Sequence, residues 1–404
     1  MNFIRNRNFR AGSQTSLEGF ICPQNCDKQQ KIKVFGRPVG GHSRDVTVDF
    51  LKGWAMLSIV IFHQSTSLFP EWLANLMMNP WNVAVFFIVA GYYLKWEKMI
   101  HPVPFIKGKL KSLYIPATVI YLCAVLSHNL FVNIGWYPLG GLHPATGVPF
   151  IHYGLKEIVL GCGKVLLCAG SGELVMGAMW FLYTLIYSMV GLSLLAWIVN
   201  KFIEDAIKQQ WIVFLILLLG VVVSCIFTQK LGFTISRVNV AITAMFLINI
   251  GRLVKQRLKV AFDNPWMMAV CLLTFIQCFI LSHVRLTMAK NDFQDIGWLV
   301  LGSLSIIYVY TFLAKRIEKS FFVNCISRIG KDSFYVMALH ILGFFCCNSL
   351  LMEFGVFEET SEKGLYTFMY GKNIIIFFLY TICGIGLPLS VVCIKNKIKV
   401  YDFI

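Results

Sequence analysis

The chain is short of charge. Only 14% of its 404 residues are Asp, Glu, Lys or Arg, while 57% are hydrophobic. A soluble domain carries roughly 25% charged and about 45–50% apolar residues, so an ordinary globular protein is excluded. Disorder is excluded as well, because it needs low hydrophobicity together with high net charge. Acids are scarcer than bases, 20 against 36, for a formal charge of +16. The polar, basic residues 1–47 contain no apolar run of signal-peptide length, so no cleaved secretory leader is expected. Internal repeats are missing, and so is a Ser/Pro-rich linker that would set off a second domain. Cys22 and Cys26 have no second ligand pair nearby, which argues against zinc, and no metal is expected. Most other cysteines lie inside apolar runs, where Cys behaves as a small hydrophobe. Cys162 and Cys168 are the only pair on the face assigned outside, and they form the one candidate disulfide.

What is present in quantity is apolar sequence of membrane-spanning length. Ten such runs recur, at about 49–70, 78–96, 113–134, 178–199, 210–227, 238–253, 265–284, 297–314, 332–351 and 373–394. Each is near the ~20 residues that cross ~30 Å of hydrocarbon. A further stretch near 153–169, interrupted by Lys156 and Lys164, suits an interfacial helix better than a span. The expected fold class is an all-α integral membrane protein of about ten transmembrane helices with both termini cytosolic. Its parts are a basic cytosolic arm (1–47), a ten-helix membrane domain (48–394) and a basic tail (395–404).

The basic residues support that topology. With the N-terminus in the cytosol, 27 of the 36 fall in cytosolic segments, 8 in outer loops, and Lys52 within the first span. This is the positive-inside distribution. It accounts for the charge through contact with membrane lipids, with no need for nucleic acid.

Ionisable groups inside a membrane are costly and are functional candidates by default. The first span holds Asp49, Lys52, His63 and Thr66. Lys52 and His63 are eleven residues apart, nearly three full turns, so they share one helix face. Asp49 lies one turn before Lys52, and Thr66 extends the face beyond His63. Lys52 sits at the cytosolic mouth and His63 roughly 16 Å higher. That order suits a reagent whose charged part stays in the cytosol while its reactive end enters the membrane. Against it stand plain alternatives: Lys52 as a snorkelling residue and His63 as a packed, hydrogen-bonded one. In the ninth span, Ser333, Tyr335 and His340 open a helix, with Ser333 and His340 on one face. His128, near the outer end of the third span, reads as structural. No Asp or Glu lies deep in a span, which disfavours a proton- or sodium-coupled carrier and leaves His as the buried general base. Lys107, Lys109 and Lys111 form a compact cluster suited to anionic lipid or to the phosphates of a soluble anion. Trp180 opens the fourth span from outside, where an aromatic is usually a belt residue.

In this order the landmarks resemble the membrane-bound acyltransferase family 3, the O-acetyltransferases of bacterial surface polysaccharides. Lys52, ten residues and His63 match the family's first-span pattern, with Asp49 before and Gly53 after. Val85-Phe-Phe-Ile-Val-Ala-Gly91-Tyr92 is similar to the second-span phrase, with Ala90 where Ser is usual. Lys107 to Pro116 resembles the basic run before a proline, with Lys where Arg is frequent, and Trp180-Phe-Leu and Gly330 to His340 match two further motifs. The resemblance implies a stand-alone membrane domain that moves an acetyl group from cytosolic acetyl-CoA to a hydroxyl of a cell-surface polysaccharide or its lipid-linked precursor. It also implies a bacterial inner-membrane location, with His63, Lys52 and His340 as catalytic candidates. Lys107, Lys111 and Asp49 would serve the acetyl-CoA, and Trp180, Ser333, Tyr335 and Thr66 the acceptor. Direct transfer with His63 as base and a covalent acyl-His step both remain open. Competing readings are a transporter or flippase of polysaccharide precursors, an acyltransferase using another donor such as succinyl-CoA, and a non-catalytic assembly scaffold.

Overall fold

A computed structural model describes residues 45–64, 70, 81–143, 147–170, 172–232, 237–258, 260–280, 286–288, 291–293, 295–356 and 374–401. All of them belong to one unit, residues 45–404. Residues 1–44 of the arm, with Cys22 and Cys26, and Thr66 of the first span lie outside the described residues.

The chain opens with α1 (Val46–Phe62), α2 (Trp81–Tyr92) and the single turn α3 (Trp96–Met99). Next, α4 (Pro102–Lys109), a π-helical turn (Leu110–Tyr114) and α5 (Ile115–Leu126) run on, followed by α6 (His128–Asn133) and α7 (Leu155–Leu166). A 3₁₀ turn (Leu174–Met179) leads into α8 (Trp180–Phe202), then α9 (Ala206–Leu231) and α10 (Val238–Leu253), which ends in a second π-helical turn (Val254–Leu258). The remainder is α11 (Pro265–Ile280), α12 (Ile296–Arg316), α13 (Phe321–Lys331), α14 (Ser333–Glu353) and α15 (Ile374–Tyr401). Two-residue strands, β1 (Leu286–Thr287) and β2 (Asp292–Phe293), pair antiparallel between α11 and α12.

Every one of the ten apolar runs contains a helix. Seven are long and apolar enough to cross a membrane: 102–126, 174–202, 206–231, 238–256, 296–316, 333–353 and 374–398. The other three, α1, α2 and α11, have 17, 12 and 16 residues. At 1.5 Å per residue they reach about 26, 18 and 24 Å, short of ~30 Å of hydrocarbon. Length and composition therefore support seven full crossings among the described residues where ten are expected. α1 and α2 are enclosed by their neighbours. α7 is a 12-residue amphipathic helix with only Gly161 and Val165 buried, the non-spanning helix expected near 153–169.

Local sequence sets the helix starts. Asp45 caps α1 by accepting from the amides of Thr47 and Val48, and Asp205 does the same for Ile207 and Lys208 of α9. Ser320 caps α13 through the Val323 amide. The bundle is then drawn together by glycine. A Cβ on Gly330 would sit 1.7 Å from the Asp49 carbonyl oxygen, and one on Gly53 would sit 1.9 Å from that of Ile326. α1 and α13 thus meet backbone to backbone, which only small residues allow. α2 and α10 repeat the device with Gly91 and Gly251.

Two expectations are corrected. Cys162 and Cys168 are both free thiols. Arg252, one of the 27 basic residues assigned to cytosolic segments, is fully buried in α10. Its guanidinium donates to Asn249 Oδ1 (2.7 and 3.1 Å) and Gln210 Oε1 (2.7 Å) and lies over the Trp96 ring. Amide oxygens and an aromatic face replace water there, which a local charge count does not register.

Candidate active site

α1 carries the ordered face that the sequence suggests. Near its start, Lys52 pairs with Asp49 at 2.8 Å, with the Lys side chain 23% exposed and the Asp side chain 9%. The adjoining wall is α13, whose Ser327 hydroxyl donates to the Val46 carbonyl at 3.0 Å. The charge of Lys52 is thus balanced one turn away.

At the far end α1 stops sooner than expected. The sequence predicts one span over 49–70, but the helix ends at Phe62 and His63 is its C-cap. The polar Gln64-Ser-Thr-Ser67 sequence and Pro70 are the stop signals that mark this end. Gln64 Nε2 donates to Thr381 Oγ1 of α15 at 2.9 Å and anchors the terminus.

His63 meets His340 of α14 there. Nε2 of His340 is 3.3 Å from Nδ1 of His63, with ring centroids 5.0 Å apart. The surrounding carbonyls assign the tautomers. Nδ1–H of His340 donates to Val336 O (2.9 Å) and Met337 O (3.1 Å), so its Nε2 carries a lone pair. Nδ1–H of His63 donates to Ile59 O (2.9 Å) and faces that lone pair. Nε2 of His63 is left as the unprotonated nitrogen, with no hydrogen-bond partner among the described residues. His340 is fully buried and His63 partly so. One imidazole is thus locked and the other is presented with a lone pair forward.

The acyltransferase family model, described as an acyltransferase domain, matches residues 45–393. The chain belongs to the acyltransferase 3 family. No curated protein and no solved structure matches it. The acyltransferase domain thus begins at the Asp45 cap and includes both histidines. Within it the motif glycines Gly53, Gly91 and Gly330 have a packing role, since each lets two helix backbones touch.

The remaining site candidates of this acyltransferase divide between two ends of the bundle. Ser333 and Tyr335 open α14 just after Gly330, beside the Asp49 end of α1. Tyr335 accepts a hydrogen bond from Lys395 of α15, whose ammonium also lies over its ring. Five to seven residues separate them from His340, about 8–10 Å along the helix. Lys107 on α4 and Lys111 on the π-helical turn are exposed, while Lys109 is half-buried against Phe105. That segment packs on α8, whereas Lys52 stands beside α13, so the two cationic groups have separate surroundings. A π-helical turn inside a longer helix often marks a functional position, and here it contains Lys111. Trp180 begins α8, its ring meeting Phe181 and, at 6.0 Å, the guanidinium of Arg237. The 3₁₀ turn before it rests on α14, where a Cβ on Gly177 would touch Ile341, the residue after His340.

A further polar cluster escaped the sequence reading. His128 and Glu173, 4% and 0% exposed at their side chains, form an ion pair at 3.1 Å. His128 Nε2 lies 3.0 Å from the Ile151 carbonyl, so both ring nitrogens face oxygen atoms. Tyr153 stacks on the imidazole, and Tyr137 lies tilted against it. Burial, and then the Glu173 carboxylate, push the Tyr137 phenol well above its ordinary range, so it stays neutral. The structural role expected for His128 has a partner that the sequence concealed, 45 residues away.

Proposed function

We propose that the protein is an O-acetyltransferase of the bacterial cytoplasmic membrane. It would move an acetyl group from cytosolic acetyl-CoA to a hydroxyl of a cell-surface polysaccharide or its lipid-linked precursor. The observation that carries this reading is the His63–His340 pair, with Nε2 of His63 unprotonated inside an acyltransferase domain. In the proposed reaction Nε2 takes the acceptor hydroxyl proton as the oxygen attacks the thioester carbonyl. Collapse of the tetrahedral adduct breaks the C–S bond, and the proton passes to the departing thiolate to give free thiol and acetyl ester. His340 is a positioning residue: its lone pair fixes the Nδ1 proton of His63 and supports the imidazolium when it forms. The C-terminal end of α1 beside the ring favours the same charge, by roughly 0.3–2 kcal/mol. Lys107 and Lys111 are the better phosphate holders, being exposed and unpaired among the described residues, while Lys52 is already balanced by Asp49.

The test is transfer of radiolabel from acetyl-CoA to crude lipid-linked glycan by protein in nanodiscs, comparing wild type with His63→Ala. Label on glycan with wild type alone is the expected result. Full transfer by folded His63→Ala would sink the mechanism. Movement of unmodified glycan with no use of acetyl-CoA would favour a flippase.

A further inference from the structure

A cavity of about 400 Å³ lies on the other side of α1 from α13, bounded by α1, α2, α10, α11 and α12. It falls within the ~300–1,000 Å³ range of small-ligand sites. Neither histidine of the pair lines it, nor does Lys52. Its walls are mainly aliphatic, typified by Leu51, Val89, Val254 and Leu304. Outside it, α11 exposes Val270, Leu273 and Ile276, so one wall of the cavity is also a lipid-facing helix.

Two features suit the space to a ligand. Thr311 lines it, is 5% exposed, and has a hydroxyl with no hydrogen-bond partner among the described residues. An orphan buried hydroxyl costs about 1–3 kcal/mol unless a ligand or water meets it. The rim is cationic. Lys255 lies 4.1 Å over the ring of Tyr92 and Lys315 lies 5.8 Å from that of Phe262, and both rings line the cavity. The one acid on the rim, Asp45, is already engaged by two amides as the α1 cap. Tyr308 holds the floor by donating to the Ala261 carbonyl at 3.1 Å.

We propose that this cavity binds one acyl chain of an anionic phospholipid, with the headgroup phosphate at Lys255 and Lys315. The apolar walls suit a hydrocarbon chain and the ammonium groups a phosphate. This site is independent of the acyl-transfer chemistry.

The experiment uses the full chain in phosphatidylcholine nanodiscs containing phosphatidylglycerol with a mid-chain diazirine. After photolysis, adducts are mapped by peptide mass spectrometry. Adducts should concentrate at least fivefold on Cys271, Thr274, Leu304 and Thr311 over the exposed α9 residues Leu215 and Leu219. Ser305→Trp, which fills the cavity, should remove that enrichment. Lys255→Ala with Lys315→Ala, both on the surface, should lower phosphatidylglycerol adducts severalfold while leaving a phosphatidylcholine probe unchanged. The surface pair keeps the test decisive even where the cavity variant fails to fold. Equal labelling of α9 and the cavity would overturn the proposal. So would labelling by a diazirine acyl-CoA but not by the phospholipid, which would assign the space to the donor's chain.

Discussion

Replacing Gly330 by Ala adds one methyl group where the structure has no room for it. The new carbon would lie 1.7 Å from the Asp49 carbonyl oxygen and 2.6 Å from the Gly53 amide nitrogen. An ordinary contact is about 3.5 Å, so the helices must separate by roughly 1.8 Å. Both clashing atoms are backbone and cannot rotate away. The cost should therefore reach the top of the overpacking range, about 3 kcal/mol. Only a short connection separates α13 from α14, so the shift is transmitted to His340 and opens its 3.3 Å contact with His63. A misplacement of about 1 Å at a reacting centre can cost ~100-fold in rate. Thermal unfolding in nanodiscs and acyl transfer at matched folded fraction would read the two effects separately. Gly53→Ala, 1.9 Å from the Ile326 carbonyl oxygen, should behave alike. Gly108→Ala on α4, where nothing lies within 4 Å, should be neutral or stabilising by about 0.5–1 kcal/mol. If Gly330→Ala melts with wild type, α1 and α13 do not touch as described, and the reasoning fails.

Other outcomes follow from the same geometry. His340→Gln should lower the turnover number ~10–100-fold with little change in KM for the donor, and should alter the pH profile of transfer; an unchanged profile would count against a positioning role. Asp49→Asn strands a partly buried ammonium and should destabilise by about 1–2 kcal/mol, whereas Asp49→Asn combined with Lys52→Met should recover much of the loss, read by a melting double-mutant cycle. Glu173→Gln weakens the buried contact with His128 and should cost about 1–3 kcal/mol in unfolding, and a silent variant would refute the contact. Burial holds His143 below the usual imidazole range, opposed by its hydrogen bond with the Gly172 backbone. The unfolded loop then takes the proton first, so its stability is full above pH 6.5 and declines as pH falls below that value. Hydrogen exchange at residues 140–143, corrected for intrinsic rate, should rise between pH 7 and 5.5, and His143→Gln should abolish the rise.

Much of this protein is written locally. Apolar runs become helices because a chain in lipid must satisfy its own backbone hydrogen bonds, so each of the ten runs is helical without reference to the others. The shared face of Lys52 and His63 follows from helical periodicity, and the Asp45, Asp205 and Ser320 caps follow from their own side chains. What periodicity does not report is how far a helix is covered by its neighbours. α1 and α2 are buried because other helices enclose them, and Arg252 is buried because Gln210 and Trp96, distant in sequence, come to meet it. The Gly53 and Gly330 motif positions were visible as letters, yet only the crossing of α1 and α13 shows that they exist to let two backbones touch. The same holds for the centre of the site. His63 and His340 were each legible as intramembrane histidines, but 277 residues separate them. Their contact is decided by tertiary packing, whereas the nitrogen that carries the lone pair is set locally, by carbonyls one turn back on each histidine's own helix.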